Sequence, residues 1–276
     1  MISLQLHKLP SLIFLSLFSA ACLAQVPNPP SACPSPQAVL QRYTDAVGGP
    51  AVNAIQTRVM TAKETNSGFG TEHYIYKFKW KAPNKVIAGS TPYLFGTIPV
   101  SYPNGTFIFD GEGWSDFDRR KSRNEERDPL WQRKLRHQYL YNEDPQFLEF
   151  RVLTDPLVLA HADGLYSSYD LDTDPTNPPQ LCVLRANGID QWRRSREDTL
   201  FFDAKTGLLK TWKLQSGTPR HKSFVQFQFG DYRKLDSIQF PFKISFDLYD
   251  AVFQFTSVVQ NKPLPDSDFE EKPERQ

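Results

Sequence analysis

The stretch HYIYKFKW at residues 73–80 constrains the fold most. Its even positions are Tyr74, Tyr76, Phe78 and Trp80, and its odd positions are His73, Ile75, Lys77 and Lys79. A strand points successive side chains to opposite faces. As a strand, this stretch lines up four rings on one side and mostly cations on the other. The pattern returns downstream. FVQFQF sets Val225, Phe227 and Phe229 against Gln226 and Gln228, and FKISFDLY sets Phe242, Ile244, Phe246 and Leu248 against Lys243, Ser245 and Asp247.

Period-two segments extend from Arg58 almost to the end of the chain. Strands are predicted over 58–65, 71–81, 84–90, 95–101, 105–110, 180–186, 198–203, 207–215, 222–230, 238–249 and 251–260. The DAKTG stretch makes a hairpin of two of them. A helix precedes them, with Ser35 as N-cap, Pro36 in the first turn and Gly48-Gly49-Pro50 as the stop. Val39, Leu40, Tyr43, Ala46 and Val47 form its apolar stripe. A second helix is predicted over 128–141, opened by Asp128 and Pro129. Residues 142–179 give no clear pattern, and 170–179, DLDTDPTNPP, reads as a loop. One-sided strands in a meander curl toward a barrel. The expected fold is mainly β, with the N-terminal helix plugging or covering the open side of a concave, aromatic-lined cavity.

With 32 basic and 31 acidic residues the chain lacks the positive field of a general nucleic-acid binder. Its first residues, MISLQLHKLPSLIFLSLFSAACLAQ, read as a secretory signal peptide: Lys8, then an apolar run from Leu9 to Phe18, then small residues. Ordinary cleavage after Ala24 competes with lipidation of Cys22 in SAAC; Ser19 stands where a lipobox carries Leu, which favours cleavage. The expected organisation is a signal peptide over 1–24, a Pro-rich leader over 25–35 and a single domain over 36–276. Membrane contact is expected to be peripheral or through a lipid anchor. An oxidising compartment then makes a disulfide the first reading of Cys33 and Cys182, with two unrelated buried thiols as the alternative.

Motifs for catalysis are weak. Asp170, Asp172 and Asp174 resemble the start of a calcium loop, but Pro175 and Leu181 stand where that loop needs Gly and Glu. His73, His137, His161 and His221 are scattered. No GxSxG elbow, P-loop or GxGxxG occurs. No metal, cofactor or catalytic residue is expected. Segment 116–137 carries eight Lys/Arg and five Asp/Glu. It reads as a solvated loop running into a surface helix, with a headgroup-binding or partner-docking role as the alternative.

Several phrases taken in order resemble a known family: VLQRYTDAVGGPAVNAI (39–55), FDGEGW (109–114), LFFDAKTGLLKTW (200–212), DYRKLDSIQFPFKI (231–244) and DSDFEEKP (266–273). They are similar to exported bacterial proteins of the LolA-like superfamily, the outer-membrane lipoprotein-sorting type; residues 115–180 depart from its pattern. The resemblance implies an incomplete antiparallel β-barrel, α+β in class, whose N-terminal and mid-chain helices cover the concave face. It also implies a periplasmic location and sequestration of acyl chains of lipoproteins or lipids.

The leading functional expectation is therefore an envelope protein that shelters an apolar chain without covalent chemistry. Its expected lining is Tyr74, Tyr76, Phe78, Trp80, Phe107, Phe109, Phe242, Phe246, Phe253 and Phe255. Two alternatives stand beside it. One is a sensor or scaffold that docks a protein partner. The other is a hydrolase of envelope lipid or glycan using carboxylates among Asp110, Glu112, Asp116 and Asp118.

Overall fold

The computed structural model describes residues 33–66, 72–94, 98–99, 106–109, 114–117, 151–161, 164–189, 195–218, 221–247 and 250–269. Helix α1 (Pro36–Val47) starts where Ser35 and Pro36 predict, and the Ser35 hydroxyl accepts the Ala38 N–H at 3.2 Å. Val39, Tyr43 and Val47, four residues apart, form its buried stripe. Gly48 ends it at φ 130°, and a Cβ there would lie 2.9 Å from both Ile238 Cγ2 and the Ser237 carbonyl. Only glycine permits that approach between the helix end and the sheet. A single turn, α2 (Pro50–Asn53), follows.

Among the described residues thirteen strands form one sheet. They are β1 (Thr57–Asn66), β2 (Glu72–Lys81), β3 (Lys85–Leu94), β4 (Ile98–Pro99), β5 (Thr106–Phe109), β6 (Trp114–Phe117), β7 (Ser168–Leu171), β8 (Leu181–Ile189), β9 (Ser195–Asp203), β10 (Leu209–Thr218), β11 (His221–Leu235), β12 (Ile238–Phe246) and β13 (Ala251–Gln260). The order across the sheet is β6-β5-β3-β2-β1-β13-β12-β11-β10-β9-β8-β7, with β4 on β3. Every pairing is antiparallel. Two meanders are thus joined through their first and last strands, β1 and β13. Among the described residues no pairing joins β6 to β7, so the barrel is incomplete.

The concave side is covered from within. α1 packs against β12, β7 and α3 (Val158–His161). Val152, Leu157 and Val158 of the mid-chain segment are fully buried, and the Tyr43 ring meets Phe202 at 5.4 Å. Cys33 and Cys182 form the expected disulfide, which ties the approach to α1 to β8. Gly207, at φ 78°, lets the hairpin between β9 and β10 approach α1; a Cβ there would stand 2.9 Å from the Arg42 carbonyl.

Several boundaries differ from expectation. Strand β11 continues to Leu235 instead of ending at Gly230. Asp231 takes φ 50° within it, and the pairing passes from Gly230 opposite Lys243 to Tyr232 opposite Pro241 with its register unchanged. β3 runs to Leu94 instead of ending at 90, and of the strand expected over 95–101 the described residues Ile98–Pro99 form β4. Asp170 and Leu171 belong to β7, so the Asp-rich loop starts at Asp172. There Asp172 and Asp174 carboxylates accept backbone N–H groups two residues on, at 3.0 and 2.8 Å, as turn formers. The helix expected over 128–141 lies outside the described residues.

Candidate functional site

Register places the four rings of β2 on the inner face. Tyr76, Phe78 and Trp80 stand opposite Ala62, Met60 and Arg58 of β1, and Tyr74 stands opposite Glu64. On the outer side Lys79 meets Asp268, and Lys81 and Lys85 both meet Asp266, each contact at 2.9 Å. The row answers its own question about packing in two ways. Phe78 and Trp80 are core residues, whereas Tyr74 and Tyr76 are half-buried. Tyr76 stacks on Phe78 at 5.7 Å and meets the edge of Phe253 at 5.2 Å.

The C-terminal strands divide similarly. Phe253 and Phe255 are buried, with Phe255 against Phe78 at 6.3 Å and against Phe240 at 5.7 Å. Phe242 and Phe246 are half-buried, Phe242 beside Phe240 and Phe246 stacked on Phe227 at 5.0 Å. Register sets Phe107 opposite Ala88 and Phe109 opposite Val86, but their side chains lie outside the described part. Of the candidate carboxylates, Asp116 stands opposite Phe107 by backbone register. Asp110, Glu112 and Asp118 lie outside the described residues, as does Cys22.

The inner face also holds charges that alternation alone did not bring forward. Arg58, 1% exposed, reaches from β1 to Asp155 Oδ1 at 3.0 Å. His161 Nε2 lies 2.7 Å from the other oxygen, Oδ2. The Arg58 guanidinium lies over the rings of Trp80 and Phe240, at 5.3 and 5.1 Å. Burial pushes the Asp155 carboxyl up, but His161, Arg58 and Arg151 together outweigh it and hold the group well below the usual carboxylate range. Burial, and next the charge of Asp155, push the Tyr43 hydroxyl far up, so it stays protonated. This ion cluster fastens the mid-chain segment to the sheet. Near the other end of the β1 row, burial pushes Glu64 up against the hydrogen bond that Tyr76 gives it.

The sequence signal for Arg58 and Glu64 was parity. They share a face with Met60 and Ala62, and a cation and an acid in an inward row require partners or neutralisation. Asp155 carried no such signal, because its segment has no period of its own.

No family model matches the chain, and no curated protein matches it in sequence. Solved structures do. A LolA superfamily protein from Nitrosomonas europaea superposes with a TM-score of 0.51 at 14% identity, over 86% of this chain and 98% of that one. A domain ascribed to outer-membrane lipoprotein sorting from Vibrio parahaemolyticus gives a TM-score of 0.48 at 9% identity, over 84% of this chain and 94% of that one. The chain has the LolA-like fold, as the phrases in its sequence implied.

Proposed function

We propose that the protein is an exported bacterial envelope protein that binds an apolar ligand, the acyl chain of a lipoprotein or lipid, between the concave face of the sheet and the helices covering it, without catalysis. One observation carries the reading. Tyr74, Tyr76, Phe242 and Phe246 are half-buried, with some surface left accessible, on a face whose neighbouring rings are buried. A guest laid along them would shield that surface. Each CH₂ group buried contributes ~0.8 kcal/mol, offset by the ordering cost of binding. The signal-like first residues and the LolA-like fold support an envelope setting, and the fold of a sorting-type superfamily supports a carrier or acceptor over an enzyme.

Native mass spectrometry of the chain purified from its exported form is the direct test, followed by titration with a fluorescent fatty acid. Co-purifying lipid, or saturable binding weakened about tenfold by Tyr76→Ala or Phe246→Ala, is the expected result. A chain recovered free of lipid that also leaves the fatty acid unbound ends the proposal.

A further inference from the structure

A second charged group lies on the inner face, on strands that the aromatic rows do not use. Gly188 of β8 pairs with Arg196 of β9. Where a Cβ on Gly188 would stand, Arg196 Nη2 is 3.6 Å away and Tyr166 Cδ1 is 3.3 Å away. The missing side chain makes room for the guanidinium, which lies over the Tyr166 ring at 5.5 Å. Arg196 is 2% exposed. Its Nε is 3.3 Å from Asp198 Oδ2, an ion contact without hydrogen-bond geometry.

Asp198 is already engaged elsewhere. The Tyr166 hydroxyl donates to Oδ2, the Gln215 N–H donates to Oδ1 at 2.8 Å, and Trp212 Nε1 donates to the Tyr166 hydroxyl at 3.1 Å. Among the described residues, Nη1 and Nη2 of Arg196 therefore meet no acceptor. Buried guanidinium donors are costly to leave unmade. Their planar fork matches the two oxygens of a carboxylate or phosphate. Burial also pushes Asp198 up toward its neutral form, which leaves the cation less compensated.

We propose that Arg196 binds the oxyanion headgroup, a carboxylate or phosphate ester, of the apolar ligand. This rests on the acyl-chain reading and extends it to the polar end of the guest. Arg196, Asp198, Leu200 and Phe202 are the buried, inward positions of β9, on the face that carries the rings. From β9 to β13 the sheet order counts four strand spacings, about 19 Å along the sheet. A long acyl chain spans that distance, with its headgroup at Arg196 and its tail among the rings.

The test uses the delipidated chain with palmitate, hexadecyl phosphate, methyl palmitate and inorganic phosphate as probes. Wild type should bind palmitate or hexadecyl phosphate about tenfold or more tightly than methyl palmitate. R196Q should bind methyl palmitate as before and lose the preference, and R196K should restore part of it. Equal affinity for acid and ester in wild type overturns this inference and leaves the acyl-chain reading standing. So does a preference that survives in folded R196Q. Absence of binding by every chain-bearing probe overturns both. Should R196Q fail to fold, ¹⁵N resonances of the Arg196 guanidinium in wild type decide. A shift with palmitate supports the headgroup, whereas a shift with inorganic phosphate and none with palmitate assigns a free anion and overturns it.

Discussion

The inner face holds two buried Arg–Asp pairs that behave in opposite ways. In the first, Asp155 is set among Arg58, Arg151 and His161, which together hold its carboxyl well below the usual carboxylate range despite burial. In the second, the cation beside Asp198 among the described residues is Arg196, and its other partners there are neutral donors from Tyr166, Trp212 and Gln215. Burial wins there and pushes the carboxyl up. Both acids are buried, so the charged and polar groups around each decide the direction of its shift. The first pair fastens the mid-chain segment to β1 through the bond from Arg58 Nη1 to Asp155, although Arg58 Nε has no hydrogen-bond partner among the described residues. In the second, all three guanidinium nitrogens of Arg196 lack one there.

Breaking the first pair from one side should have the largest effect. Asp155→Asn leaves buried cations uncompensated and should cost about 3–5 kcal/mol in denaturant unfolding. The paired replacement Arg58→Met with Asp155→Leu should recover most of that. If it does not, the cluster does more than balance its own charges. Next comes the disulfide, which clips β8, the strand that carries Gly188, to the start of α1. Cys33→Ser with Cys182→Ser should cost about 2–5 kcal/mol, by the same measurement under oxidising conditions.

The two acids should also separate in pH dependence. Asp155 has a lowered pKa in the folded state, so its contribution is present above the unfolded value of ~3.9 and is lost as pH falls through the folded value. Asp198 has a raised pKa, so its contribution is present below ~3.9 and is lost as pH rises through the folded value. Stability measured against pH should lose part of its acid limb in Asp155→Asn. In Asp198→Asn it should lose a component that declines with rising pH. Equal profiles for the two variants would erase the distinction between the pairs. The smallest effect belongs to the exposed contrast: Asp266→Asn, which removes the outer-face partner shared by Lys81 and Lys85, should leave the denaturant midpoint close to that of the unchanged chain.

Much of the fold was legible because a strand repeats every two residues. Tyr74 to Trp80 point inward because alternation leaves no other choice once one face is buried, and β13 was bounded to the residue. The capped helix was equally readable, since Ser35-Pro36 and Gly48 act locally. Alternation failed to carry β11 past Gly230 to Leu235. It failed again for Arg58, Glu64, Arg196 and Asp198, which hold inward positions by parity but read as interruptions of an apolar face. Phe240, fully buried, was passed over although it shares parity with Phe242.

The sequence by itself determined that many one-sided strands must curl around an aromatic interior behind an N-terminal helix, because side-chain period and capping chemistry act within a few residues. Only the tertiary structure decided which rings are core and which keep free surface. It also decided that Arg58 meets Asp155 across 97 positions and that Gly188 makes room for Arg196. Those outcomes depend on strand order, bulges and the approach of distant segments, and burial turns them into charge states that no local pattern encodes.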